Sequence, residues 1–158
     1  MKVIRHGFFA NMMRREQLYI GGEWVLPNGE GEIEVINPAN EEIIGSVPVG
    51  NSTDVENAVS AAKSAFESWS QSSIADRMTI LNDLSAALKD NTEELAQTIT
   101  AEVGTPIGYS RMAMVGTPRV VSRSYAKMLE GFEWEHEVRN TLIVKEPVGV
   151  CAFITPWN

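Results

Sequence analysis

The sequence predicts an α/β fold, and three observations predict it. Short alternating strands bounded by glycine and proline follow the first sixteen residues. Apolar residues at helical spacing fill the middle of the chain. The chain then closes on Val-Gly-Val-Cys-Ala-Phe-Ile, residues 148–154, a near-continuous apolar run of the kind found in a parallel strand buried on both faces.

Residues 1–16, MKVIRHGFFANMMRRE, read as a disordered or variable extension. They lack the long apolar stretch of a secretory signal. Their arginines leave a mitochondrial presequence open, beside a start at Met12 or Met13. Leu18-Tyr19-Ile20 and Glu23-Trp24-Val25 flank Gly21-Gly22, a two-residue hairpin signal. Pro27-Asn28-Gly29 is a turn, and residues 32–36 alternate with Ile33 and Val35 on one face. Asn37 to Asn40 closes that strand, and residues 42–47 form another, ended by Pro48 and Gly50.

Thr53 and Glu56 have capping-box spacing ahead of Val55, Ala58, Val59, Ala62, Phe66 and Trp69, the expected inner face of a first helix. A second helix starts near Ala75 with Leu81, Leu84 and Leu88 inward. Asn91 and Glu94 are expected to cap a third, which Gly104 ends as a left-handed cap and Pro106 as a breaker. A fourth helical segment opens near Ile107. Gly116-Thr117-Pro118 is expected to interrupt it, with Thr117 as N-cap and Pro118 in the first turn of a restarted helix to Leu129. Residues 141–145 read as a strand before the apolar run.

The 13 basic and 21 acidic residues sum to −8. Residues 1–15 carry +4 (Lys2, Arg5, Arg14, Arg15), so the remainder carries −12. An acidic body repels phosphate backbones, which argues against nucleic acid as a partner. No apolar run approaches the ~20 residues of a membrane-spanning helix, so no membrane role is expected. One cysteine excludes an intrachain disulfide framework and fits a reducing, cytoplasmic location. His6 and His136 lack metal-ligand spacing, and no metal site is expected.

No P-loop, GxGxxG or HExxH motif is present. Cys151 lies within the apolar run, where burial would leave a thiol inert. Asn158 follows the carboxyl end of the expected buried strand, the edge at which open α/β sheets bind ligands. Its amide can donate hydrogen bonds without carrying charge, which suits an oxyanion formed only during reaction. An ordinary loop asparagine fits the same residues.

LYIGGEWV, VINPANEEIIGSVPVGNSTDVENAVSAAKSAFESW, AEVGTP and KEPVGVCAFITPWN occur in that order over residues 17–158. Together they resemble the NAD(P)-dependent aldehyde dehydrogenase superfamily. The resemblance implies the N-terminal part of that fold, truncated at the PWN motif. Residues 17–137 would form a β-hairpin arm and the helical part of the nucleotide-binding domain. Residues 138–147 would supply an oligomerisation-arm strand, and 148–158 the incomplete first strand of a Rossmann-like sheet. Asn158 would help hold the oxyanion of the covalent intermediate, as the catalytic residue present. Ile154, Thr155, Pro156 and Trp157 would lie along NAD or NADP. The resemblance implies oxidation of a small-molecule aldehyde to a carboxylic acid in a complete enzyme, a homo-oligomer of two or four chains.

The family's nucleophilic Cys and general-base Glu match nothing here, so the isolated chain is expected to be inactive. A non-catalytic fragment, a split subunit or an interaction module remains the alternative. Residues 141–145 would either pair within their own domain or reach another chain.

Overall fold

The structure, a computed structural model, describes residues 13–155. It divides into two compact units, Met1–Ala62 with Thr98–Thr105, and Lys63–Gln97 with Pro106–Asn158.

In the first unit, β2 (Leu18–Ile20) and β3 (Glu23–Val25) form the expected antiparallel hairpin. Gly21 and Gly22 hold φ of 64° and 89°. Two successive left-handed residues match the twist of the flanking strands, and glycine reaches that region without a Cβ clash. A second sheet has the order β1-β5-β4, formed by β1 (Met13–Arg14), β4 (Glu32–Ile36) and β5 (Ile43–Pro48). β4 and β5 pair antiparallel, with a register shift between Val35 and Ile36. Asn37 closes their loop, its side-chain oxygen accepting from the Ala39 N–H at 2.9 Å. β1 pairs in parallel with β5, Met13 opposite Gly45 and Arg14 opposite Ser46. The extension expected over residues 1–16 is thus corrected at its end, where a free strand edge recruits the backbone. Residues 1–12 lie outside the described residues.

α1 (Ser52–Trp69) is capped by Asn51, not by Thr53. The Asn51 side-chain oxygen accepts from the N–H groups of Thr53 and Asp54, and the Asp54 carboxylate accepts from the Asn51 N–H at 2.9 Å. This reciprocal pair replaces the expected Thr53/Glu56 box because Asp54 has further donors. It accepts from the Asn28 N–H at 3.0 and 3.1 Å, the Asn28 side-chain amide at 2.8 Å and the Gly29 N–H at 3.3 Å. A buried carboxylate survives only when so satisfied, and Asp54 is 4% exposed. These bonds, those from Asn28 foremost, hold its pKa below the ordinary carboxylate value. The Pro27-Asn28-Gly29 turn is thereby clamped to the start of α1. The expected inner face of α1 is exposed at Val55, Val59 and Trp69. Periodicity marks a face that can be buried, but not whether a partner element is there to bury it.

In the second unit, α2 (Ile74–Asp90) starts one residue before the expected Ala75, at a Ser73 capping box. Ser73 Oγ accepts from the Asp76 N–H at 3.1 Å, and the Asp76 carboxylate accepts from the Ser73 N–H at 3.1 Å. Asn91 joins α2 to α3 (Thr92–Val103): its backbone carbonyl accepts from the Leu95 N–H at 3.0 Å as the expected cap position of α3, while its side-chain N–H donates back to the Ala87 carbonyl at 2.8 Å. The second half of α3 belongs to the first unit, and the helix ends there at Gly104 with φ 78°, the expected left-handed cap.

No break occurs at residues 116–118. α4 (Ile107–Tyr109), a π-helical stretch (Ser110–Val115) and α5 (Gly116–Leu129) run on continuously. Pro118 lacks an N–H and its ring crowds the carbonyl four residues back. Widening the preceding turns accommodates it without a new cap. α2 and α5 meet through small residues: Ser85, Ser122 and Ala126 are buried, while Leu84, expected inward, is exposed. The Ser85 hydroxyl donates to the Arg119 carbonyl at 3.0 Å. Arg111 donates through Nε and a terminal nitrogen to both Glu93 oxygens at 2.7 and 2.8 Å. Those bonds, with one from Gln97, lower the Glu93 pKa to about 2.

Candidate functional site

The segment that carries the expected site leaves a hairpin that was only half expected. β7 (Thr141–Val144) pairs antiparallel with β6 (Glu135–Val138), a strand with no clear signal in its own residues. Glu135 faces Val144 and Val138 faces Thr141. Arg139, with φ 58°, makes the reversal. The Lys145 N–H donates to the Trp134 carbonyl at 2.9 Å and extends the pairing by one residue.

Beside the hairpin lies an open cleft of about 490 Å³. Phe66, Ile74, Arg77, Trp134, Lys145 and Glu146 contribute to its walls. The Arg77 guanidinium donates to Ser72 Oγ at 3.0 Å and to the Ser70 carbonyl at 3.1 Å. It also lies 5.9 Å from the Trp69 ring and 5.7 Å from the Trp134 ring. Lys145 donates to the Glu133 carbonyl at 2.7 Å and sits 4.5 Å from the Phe132 ring. Cations over aromatic faces are attracted by the ring quadrupole. Trp134 Nε1 is buried without a partner. Spacing rules do not reveal the cleft, because Trp69 lies on α1, Arg77 on α2 and Trp134 just before β6.

Beyond Glu146 the structure departs from expectation. Residues 148–155 form no strand, and Val148, Phe153 and Ile154 are exposed at 92%, 87% and 95%. A strand buried on both faces needs a neighbour on each edge and a layer on each face. Among the described residues none is present. Gly149, at φ 110°, bends the segment in a conformation few side chains allow. Cys151 is exposed and its thiol points at the Gly149 carbonyl, 3.7 Å away, so the inert buried thiol expected there is not found.

Of the expected site residues, Ile154 and Thr155 are described. Both are exposed, on a segment outside any sheet, the kind of backbone that can lie along a ligand. Pro156, Trp157 and Asn158 lie outside the described residues. Among the described residues no group of three His, Cys, Asp or Glu side chains could hold a metal ion.

Comparison with known proteins supplies the context for this incomplete site. The family model described as the aldehyde dehydrogenase family matches residues 24–158. A 3-succinoylsemialdehyde-pyridine dehydrogenase of a Pseudomonas species is 38% identical over 145 residues, which are 90% of this chain and 30% of that protein. An aldehyde dehydrogenase C mutant of Pseudomonas syringae, solved with NAD+ and octanal, superposes at a TM-score of 0.87 with 36% identity. That match covers 90% of this chain and 29% of the other. A betaine aldehyde dehydrogenase of Staphylococcus aureus, solved with NAD+, matches at a TM-score of 0.78 and 30% identity over 84% of this chain and 28% of its own. The chain thus spans about 30% of the length of the relatives it matches. With the family model covering most of its length and the strand and helix order superposing on enzymes of that kind, the chain belongs to the aldehyde dehydrogenase family.

Proposed function

We propose that this chain serves as the N-terminal portion of an enzyme that oxidises aldehydes to carboxylic acids with NAD+ or NADP+ as acceptor. The observation that carries the reading is the superposition on a relative holding NAD+ and octanal, which extends over 90% of this chain. The exposed backbone at Ile154 and Thr155 fits a cofactor-lining role, continued through Pro156 and Trp157. The bound cofactor supplies the hydride acceptor. Asn158 donates its side-chain N–H to the substrate oxygen as negative charge gathers there, and as a neutral donor it favours the transition state over the ground state. Cytoplasmic location and assembly into a homo-oligomer through the β6–β7 hairpin belong to the same proposal. Both outer edges of that hairpin are unpaired among the described residues, and Leu142 and Val144 are exposed on it.

A second reading, an interaction module without activity of its own, is favoured by the exposure of Val148, Phe153 and Ile154. One assay separates the two. Full-length protein should reduce NAD+ or NADP+ when aliphatic or aromatic aldehydes are added, followed by absorbance of the reduced cofactor, while the isolated chain should not. Failure of the full-length protein with every aldehyde and both cofactors would sink the enzymatic reading. Turnover by the isolated chain, abolished by Cys151→Ser, would overturn the assignment of chemistry to residues outside it.

A further inference from the structure

The Pro27-Asn28-Gly29 turn places a chemically labile pair in a site that the fold cannot easily do without. An Asn-Gly sequence cyclises readily, because glycine has no Cβ to obstruct attack by its own backbone nitrogen. Asn28 is exposed, so water and base reach it. Yet the turn requires both residues. A Cβ on Gly29 would lie 2.1 Å from the Val49 carbonyl oxygen and 2.9 Å from the Val49 carbonyl carbon. The Asn28 side-chain amide donates to Asp54 Oδ1 at 2.8 Å, and the Asn28 carbonyl accepts from the Asn51 side-chain amide at 2.8 Å.

We infer that Asn28 is a spontaneous deamidation site whose reaction the buried Asp54 carboxylate holds in check. The reaction has two steps. The Gly29 nitrogen, after losing its proton to solvent base, bonds to Asn28 Cγ, and the Cγ–Nδ2 bond breaks so that Nδ2 leaves as ammonia with a proton from water. Water then adds to one carbonyl of the five-membered ring and opens it to aspartate or isoaspartate. Nothing is oxidised or reduced, and one ammonia is exchanged for one water.

Asp54 opposes the first step twice. It holds the leaving Nδ2 at 2.8 Å, which fixes the side chain that must turn toward the Gly29 nitrogen. It also accepts the Gly29 N–H at 3.3 Å, and a carboxylate beside that N–H disfavours loss of its proton. The reaction therefore proceeds from the locally opened turn. Once made, the product cannot close again. An aspartate puts a carboxylate oxygen where the Nδ2 donor faced Asp54 Oδ1, and isoaspartate adds a methylene to a backbone already packed on Val49. Either product frees the turn from the start of α1.

Peptide mapping by mass spectrometry of the full chain, incubated at neutral pH, tests this. Ammonia loss and isoaspartate should appear at Asn28 roughly tenfold or more faster in guanidinium than in buffer. Asp54→Ala, shown folded by circular dichroism, should react in buffer at close to the denatured rate. Equal rates in buffer and denaturant, no product at Asn28 in denaturant, or a folded Asp54→Ala chain that reacts like the wild type would each overturn the inference. Should Asp54→Ala not fold, hydrogen exchange of the wild-type Gly29 amide decides. Protection matching the slowing of deamidation supports the role of Asp54, and exchange at the rate of an unstructured peptide refutes it.

Discussion

Gly29→Ala asks whether the clamp on α1 is as tight as its geometry. The new methyl would sit 2.1 Å from the Val49 oxygen and within 3.0 Å of the Gly50 carbonyl carbon. Ordinary contact begins near 3.4 Å, so more than 1 Å of movement is needed. The obstacle is backbone and cannot swing aside. The Val49 N–H is held by the Gly31 carbonyl at 3.1 Å, and the Gly29 N–H is held by Asp54. Overpacking of this kind costs about 1–3 kcal/mol. Giving up the Val49 bond to relieve it adds about 1 kcal/mol. Reduced freedom of the unfolded chain returns about 0.4–1 kcal/mol. The net expectation is a loss of about 1–3.6 kcal/mol, or a Tm lower by roughly 2–14 °C for a chain of this size. Gly131→Ala is the control, since a Cβ there meets nothing within 4 Å and its φ is not left-handed. Urea melts of both variants, read by circular dichroism, give the comparison. A Gly29→Ala midpoint equal to that of the wild type, with the control also unchanged, would refute the claim that the turn is locked against Val49.

Glu93 has its folded pKa lowered to about 2, chiefly by the Arg111 hydrogen bonds, from an ordinary value near 4.5. Its contribution to stability is therefore whole above the ordinary value and lost as pH falls through about 2. The stability gap between wild type and Glu93→Gln should close across that window, and a gap constant down to its lower end would show the pair contributes nothing. On the proposed function, Asn158→Ala in the complete enzyme should lower kcat by roughly 10²–10³ with a smaller effect on substrate binding, measured by steady-state and single-turnover kinetics. An unchanged single-turnover rate would remove Asn158 from the chemistry. On the proposed assembly through the hairpin, Val144→Lys should weaken self-association in sedimentation velocity by placing a charge there, while Glu67→Lys, on an exposed position of α1, leaves it intact. Equal behaviour of the two variants would refute assembly through the hairpin.

Much of the local structure can be read from neighbouring residues. Gly21-Gly22 dictates a hairpin because two left-handed residues in succession leave the chain little else to do. Gly104 ends α3 for the same reason. Helical spacing of apolar residues places α1 and α2, cap and breaker residues bound α3, and the ordered set of motifs from Leu18 to Asn158 points to the family before any coordinate is known. These signals act over a few residues, or through a pattern carried whole by the chain.

Choices among equally plausible local partners are settled by residues far away in sequence. Asn51 caps α1 in preference to Thr53 because Asp54 is also bound by Asn28 and Gly29, some 25 residues earlier. β6 becomes visible only as the partner of β7, and β1 only as an addition to the edge of β5. The Arg77 cleft draws on α1, α2 and the segment before β6, and no spacing rule links them. Residues 148–154 show the limit most plainly. Their composition specifies a strand that wants burial, but burial is a property of what surrounds a segment, and the described residues bring it no neighbouring strand. Backbone preference is decided within a turn or two of chain; capping, pairing and burial are decided by whatever the rest of the fold delivers to the same place.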